Sequence, residues 1–596
     1  MHTAPRQPRR RNGFAPIDAY AVLGDGRTVA LVAEDGAVDW LPTSALDGHP
    51  TFAGLLDPHA GGSIELSPTE PFTVVRGYVD GSNVLQSVFR TEHGAVRVTD
   101  SLNVGRAGRL PWTELARRVE GLEGSVALRW SVAPDSTIGP ARPWTWMRDD
   151  SPLLEVADDH LTVRTTGLGR PTVTGHAVYG EATISAGERG LLAVVGTHAQ
   201  PTFQPSCADI DSRIDMTIAD WQGWCEGVDY DGPWHAAVRR SALALKLLVH
   251  APSGAIAGAA TTSLPEAIGG ERNFDYRYAW IRDASFTIDA MTHLRMHEEV
   301  HAALAWLLRT VSVTAPDLRV FYRLDGSIPD AEERTLPVRG YRDSQPAVAG
   351  NSAETQTQLG CFGDLFDAVF RFVQHGAVLD PHTARLLSDL ADRVCDVWML
   401  SDAGIWELGD NQQYTISKIS CWVALDRAVR LATAGQLASA HVDRWRHEAA
   451  LVHEWVDENC WSAAKRAYTF YAGTDELDAS VLLAARTGFC PSGDVRLSST
   501  IDAISDELGE GPLLYRYSSV RGKEGCFLAC CFWRVQALAH VGRRDEAVAL
   551  MNQLVELSND VGLFSEEMAP GSHELRGNFP QALSHLALIT AARDLQ

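Results

Sequence analysis

The chain is 596 residues long, 45% hydrophobic and 21% charged, with 52 basic against 76 acidic side chains and a formal charge of −24. Its length predicts two to four domains, each able to bury its own core. The acidity argues against sequence-independent nucleic-acid binding and against docking on an anionic membrane, both of which need clustered Lys and Arg. No apolar run reaches the roughly 18 residues of a membrane-spanning helix.

The chain opens on a crowd of basic residues, Arg6, Arg9, Arg10 and Arg11. An export signal would follow such a crowd with an apolar stretch of about 7–15 residues. Asp18, Asp25 and Arg27 interrupt every candidate. Residues 1–15 are therefore expected to be a disordered basic tail, and the expected location is cytoplasmic. From 16 to 207, short β-rich runs dominate. Residues 28–32 and 37–41 flank Glu34-Asp35-Gly36, a hairpin signal. Residues 95–98, 125–132, 153–156, 161–165 and 191–195 continue the pattern between Gly, Asp and Pro. Many short strands with turn signals predict an antiparallel β-sandwich. Residues 208–232 turn helical and read as a linker.

From 233 to 596 the apolar period becomes 3.6, with about twelve helical patterns between residues 234 and 592. Joined by loops of very unequal length, they predict a closed toroid of helical hairpins, with the long loops gathered where a site is built. The ten cysteines lack paired spacing. Cys526, Cys530 and Cys531 fall in an apolar helical run and are expected to be buried, reduced and structural.

Two acidic segments carry candidate chemistry. One is Gly404-Ile405-Trp406-Glu407; the other is Phe564-Ser565-Glu566-Glu567, followed by Gly577-Asn578-Phe579-Pro580-Gln581. Each places a carboxylate at a loop-to-helix junction. Glycosidic hydrolysis needs such a pair, one protonated to donate to the leaving oxygen and one ionised to act on the other face. Trp406 can desolvate Glu407 and raise its pKa, as suits a general acid. Glu566 and Glu567 cannot both be buried without compensation, so one is expected to face the site and the other a structural ion pair. The plain alternatives are a surface Glu and a solvated acidic turn.

A third segment, Arg272-Asn273-Phe274-Asp275-Tyr276-Arg277-Tyr278-Ala279-Trp280-Ile281-Arg282-Asp283, packs aromatics between two Arg/Asp pairings. Arg and Asp can grip vicinal hydroxyls, and Tyr and Trp offer flat faces to a sugar ring. A buried ion pair among packed aromatics is the plain alternative.

These segments resemble glycoside hydrolase family 15, the glucoamylase-like family with trehalase-like bacterial members. The likeness rests on RNFDYRYAWIRDASFT, GIWELGDNQQYTISKISCWVALDRAVRLA, GCFLACCFW and LFSEEMAPGSHELRGNFPQALSHLALI. The opening IDAYAVLGDGRTVALVAEDGAVDWL extends it over nearly the whole chain. The resemblance implies an N-terminal β-sandwich of the supersandwich type, a C-terminal (α/α)6 barrel and inverting, cofactor-free release of terminal α-linked glucose, with no metal. By motif, Glu407 matches the general acid and Glu566 the general base. Tyr276, Trp280, Arg282 and Asp283 match the subsite for the terminal glucose, Trp406 frames it, and Tyr341 and Arg342 are expected at the mouth. Inversion leaves room for a water, so the two carboxyls are expected roughly 6.5–9.5 Å apart.

Two departures stand out. Gly360-Cys361-Phe362-Gly363 replaces an Asp-x-Tyr-Gly run, and Leu41-Pro42-Thr43-Ser44-Ala45-Leu46-Asp47 replaces Cys-Leu-Pro-Arg-Phe-Asp. Both bear on substrate length and linkage. The expected substrates are short malto- or isomalto-oligosaccharides, with trehalose as the alternative. The expected partner is that small sugar, with no nucleic acid or membrane and a homodimer left open. Two rivals come from other classes. A non-catalytic carbohydrate-binding protein would not need both Glu407 and Glu566. His297-Glu298-Glu299-Val300-His301 matches the zinc-hydrolase pattern H-E-x-x-H, but no third ligand follows and the segment reads as a solvated turn.

Overall fold

Thr113–Ala133 is one continuous strand of 21 residues that belongs to both layers of the N-terminal sheet. Its first half pairs with Arg189–His198 and Gly94–Leu102, its second half with Ser63–Pro68 and Val178–Ser185. The crossing falls at Gly121 and Gly124. A Cβ on Gly121 would lie 2.0 Å from the Ser185 carbonyl oxygen, and Gly124 stands at φ +58°, where glycine is free of strain. Among the described residues fourteen strands join this way, all pairings antiparallel, so the sheet folds over itself as a β-sandwich. The hairpin at Glu34-Asp35-Gly36 pairs Val29–Ala33 with Val38–Trp40. The structure, a computed structural model, describes residues 4–106, 108–135, 138, 143–148, 151–329 and 332–596.

The expected basic tail is corrected by this structure. Arg6 pairs by backbone with Val74 and its guanidinium meets Glu34 and Asp560; Arg9 meets Asp18 and Glu34; Arg10 meets Asp39 at 2.8 Å. Acidic partners on three segments hold these residues to the fold. Residues 1–3 of that stretch lie outside the described residues.

Helix α1 (Cys207–Glu226) follows the sandwich, capped by the Ser206 hydroxyl. Among the described residues twelve further helices then alternate between an outer and an inner ring. The outer ring comprises α2 (His235–Leu248), α4 (His297–Thr314), α6 (Pro381–Val397), α8 (Val442–Asn459), α10 (Val495–Leu508) and α12 (Arg544–Val555). The inner ring comprises α3 (Ile281–His293), α5 (Gly360–Gln374), α7 (Thr415–Thr433), α9 (Ala484–Thr487, extending the 3-10 turn Ala479–Leu483), α11 (Leu528–His540) and α13 (Ala582–Asp594). Each inner element packs on the next, and α13 returns to α3, which closes the (α/α)6 barrel. The inner helices are apolar nearly all round, as α11 and α13 show, because both faces are covered. The ten cysteines are free thiols, nine of them buried.

Side chains stitch sandwich to barrel: Trp40 Nε1 donates to the Ala260 carbonyl at 3.1 Å, and Arg76 pairs with Asp560 at 2.7 Å. Among the described residues no helix is long and apolar enough to cross a membrane. The H-E-x-x-H segment is the first turn of α4 rather than an inter-helix turn, with His297, Glu298 and His301 exposed. It is Glu299 that turns inward, to Lys246 at 2.6 Å and Trp224 at 2.7 Å.

Candidate active site

Because the inner helices run parallel, their N-termini gather at one end of the barrel. The residues just before them are Trp280 (α3), Phe527 (α11) and Gln581 (α13). The loops that precede α7 and α13 add Glu407 and Glu566. These side chains, with Tyr276, Arg282, Asp283, Trp406 and Arg516, wall one pocket.

Glu407 is fixed from several directions. Trp280 Nε1 donates to its Oε1 at 2.7 Å, and Gln356 Nε2 donates to its backbone carbonyl at 3.0 Å. Its backbone stands at φ +59°, a conformation that costs a non-glycine residue about 1–3 kcal/mol and that tends to mark functional positions. Burial raises the Glu407 carboxyl above its usual range, against the pull of the Arg282 guanidinium and the Trp280 hydrogen bond. Trp406 turns its indole nitrogen to Asp478 at 2.9 Å and lays its ring under the Arg516 guanidinium, 5.4 Å away.

Glu566 is 1% exposed, so the solvated acidic turn is not what forms here. Its Oε2 accepts from the Asn578 amide at 3.1 Å, and its Oε1 is buried without a partner among the described residues. Gly577 makes this possible: a Cβ there would sit 2.5 Å from Oε2, and its φ is +68°. Burial pushes the Glu566 carboxyl up, and the carboxylate of Glu266 adds to the push, while Arg516 opposes it. The neighbouring Glu567 points to the other side of its strand. Its Oε2 accepts from the Gly525 amide at 2.7 Å, and Arg516 stands 3.7 Å from its Oε1. The expected division of the pair, one toward the pocket and one toward an ion pair, is the arrangement observed.

Arg282 donates from Nη1 to the Ile405 carbonyl at 2.9 Å, and its Nη2 lies 2.8 Å from Asp283 Oδ2. The other Arg/Asp pairing is structural: Arg277 meets Asp275 at 2.7 Å and the Gly48 carbonyl at 2.6 Å, and neither belongs to the pocket walls. Tyr276 meets Trp280 edge-on with ring centres 5.2 Å apart. Burial raises its phenol well above the ordinary value, and the charges of Glu566 and Glu407 add to the rise.

Two expected site residues are not in this pocket. Tyr341 is buried away from it, donating to the Ala15 carbonyl at 3.0 Å and packing on Phe14. Arg342 turns to Glu574 at 2.5 Å. Their loop anchors the N-terminal segment, a job a Tyr-Arg pair in sequence does not distinguish from a substrate contact. Arg516, Phe527 and Gln581 line the pocket without having been singled out from sequence. The signal for Arg516 was the aromatic-flanked Tyr515-Arg516-Tyr517, and for Gln581 its place at a helix start.

One set of three carboxylates comes within metal-ligand distance among the described residues, Glu266, Glu524 and Glu567. Arginines already serve it: Arg516 meets Glu524 at 2.6 Å and Glu266 at 2.9 Å, and Arg272 also reaches Glu524. His297 and His301 belong to no such set.

The model of glycosyl hydrolases family 15 matches residues 232–593, and that of the trehalase-like N-terminal domain matches residues 11–175. A trehalase of Mycolicibacterium smegmatis is 33% identical over 620 aligned residues, covering 98% of this chain and 92% of its own length. A trehalase of Thermoplasma volcanium is 30% identical, covering 98% of this chain and 94% of its own. A bacterial glucoamylase solved with acarbose superposes with a TM-score of 0.72 at 13% identity, over 100% of this chain and 96% of that one, a likeness of fold. Sandwich, barrel and family models together define a glycoside hydrolase. The chain belongs to glycosyl hydrolases family 15.

Proposed function

We propose that this protein is an inverting trehalase. The observation that carries a hydrolase reading is the convergence of Glu407 and Glu566 on one pocket already walled by Trp280, Tyr276 and an Arg/Asp pair. The relatives named trehalase, alike over nearly the full chain, favour trehalose over the malto- or isomalto-oligosaccharides that sequence reasoning put first.

In this reading Glu407, its carboxyl raised by burial, donates its proton to the bridging oxygen as the bond from the anomeric carbon breaks. A water attacks that carbon from the opposite face, and Glu566 accepts the proton the water gives up. Arg282 and Asp283 hold ring hydroxyls, so the reacting carbon meets the water in line. Arg516 offsets the charge that Glu566 carries when ionised.

The test is proton NMR of glucose freshly released from trehalose, maltose and isomaltose. Inversion of trehalose yields one β-glucose from the attacked ring and one α-glucose from the departing ring. Two α-glucose molecules would rule out the inverting assignment. Faster release from maltose or isomaltose than from trehalose would restore the other substrate class.

A further inference from the structure

Behind the candidate active site lies a second cavity, separated from it by Arg282 and Ile405, which belong to the walls of both. It has room for the centre of one water, about 20 Å³, and polar groups face it from Arg282, Gln358, Asp364, Ser417 and Ser420. Gly360 keeps it open, since a Cβ there would meet nothing nearer than Ser420 Oγ at 4.0 Å. A guanidinium has five N–H donors. Contacts to Asp283 and to the Ile405 carbonyl occupy one on each nitrogen of Arg282, which leaves two. Asp364, one turn after Gly360 on the same face of α5, makes no direct hydrogen bond or ion pair among the described residues. A carboxylate without a direct partner therefore shares a water-sized polar cavity with the back of a sugar-binding arginine.

We propose that Asp364 is a positioning residue for Arg282, acting through a single water held between them. This rests on the glucoside-hydrolase reading of the site and adds a residue outside the substrate pocket to it. Ionised Asp364 orients the water to accept from Arg282, which fixes the guanidinium plane; neutral Asp364 loosens that hold. The charged and titratable groups facing Asp364 are Arg282 and Asp283 on α3, Arg486 on α9, and Cys361 and Asp367 on its own helix. Burial against these neighbours pushes its carboxyl up to about 7. The change of state thus falls near neutral pH.

The test is the pH profile of kcat/KM for Asp364→Asn, Asp364→Glu and Gly360→Ala on whichever α-glucoside the wild type cleaves fastest. Asn mimics the neutral acid, so the ratio of wild type to Asp364→Asn cancels every limb the two share. It is expected to be near one at low pH and to rise to about tenfold as pH passes through neutrality. Asp364→Glu keeps a carboxylate and is expected to restore the profile at least in part. Gly360→Ala displaces the water without touching charge and is expected to reproduce the loss above neutrality. It decides the matter alone if Asp364→Asn does not fold. A ratio that is flat with pH, or Gly360→Ala indistinguishable from wild type, overturns the proposal while leaving the hydrolase reading intact. A folded wild type that cleaves no α-glucoside sinks both.

Discussion

The indole of Trp280 donates to Glu407 across the pocket at 2.7 Å, joining the residue just before α3 to a loop 127 positions later. A hydrogen bond to the ionised form lowers a carboxyl's pKa, whereas burial raises it. Both act on Glu407, and burial wins. Trp280→Phe removes only the lowering influence, so Glu407 should hold its proton to higher pH. The descending limb of the kcat profile is expected to move upward, with kcat itself falling because the acid is less well held. An unmoved limb would mean that another group sets it.

Glu407→Gln and Glu566→Gln test the two proposed roles directly. Each is expected to cut kcat by about 10²–10⁴, the usual contribution of a positioned acid or base. Thermal unfolding should change little or rise, since both substitutions remove a buried carboxyl held above its usual pKa. Near wild-type turnover in either variant would remove that residue from the mechanism.

The sequence made the periodic parts legible. Eleven of the twelve helical patterns after residue 233 correspond to α-helices of three or more turns, where a period of 3.6 shows clearly, and the one at 479–485 is a 3-10 turn followed by the single turn Ala484–Thr487. The strands Ser63–Pro68, Thr73–Tyr78 and Leu85–Arg90 were not singled out, since they mix polar residues and lie half-buried. The basic N-terminal stretch read as disordered because its partners, Glu34 and Asp560, are remote in sequence. The same limit explains Arg516. Nothing local in sequence says that it meets Glu266, 250 positions earlier, and lies over Trp406. Tyr341 failed for the converse reason: an aromatic beside an arginine looks the same whether it faces a sugar or, as here, the Ala15 carbonyl.

Gly577 is a backbone test of the same site. Its φ of +68° already disfavours any side chain, and a methyl would fall 2.5 Å from Glu566 Oε2. Gly577→Ala is expected to lose about 1–3 kcal/mol of stability and to displace the Glu566 carboxyl. Loss of kcat should therefore exceed anything the shift in unfolding explains when activity is assayed well below the unfolding midpoint. Full activity in the variant would show that Glu566 has room to move without cost.

Glu266 offers a separate handle on the proposed base. Its negative charge is the largest charged influence raising Glu566, with Glu524 a lesser one, while Arg516 and the Asn578 amide pull the other way. Glu266→Gln removes that charge and leaves a side chain of the same shape beside Arg516. Glu566 should then ionise more easily, and the ascending limb of kcat/KM should move to lower pH. Stability follows with a definite sign. A carboxyl whose folded pKa lies above its unfolded one loses stability as pH rises from the ordinary carboxylate value through the raised value. Removing one member of the cluster should shrink that loss, so unfolding temperatures of variant and wild type should differ more at neutral pH than at pH 4. A limb that moves upward instead would show that Glu266 acts mainly by seating Arg516. An unmoved limb would show that Glu566 is not the group being titrated.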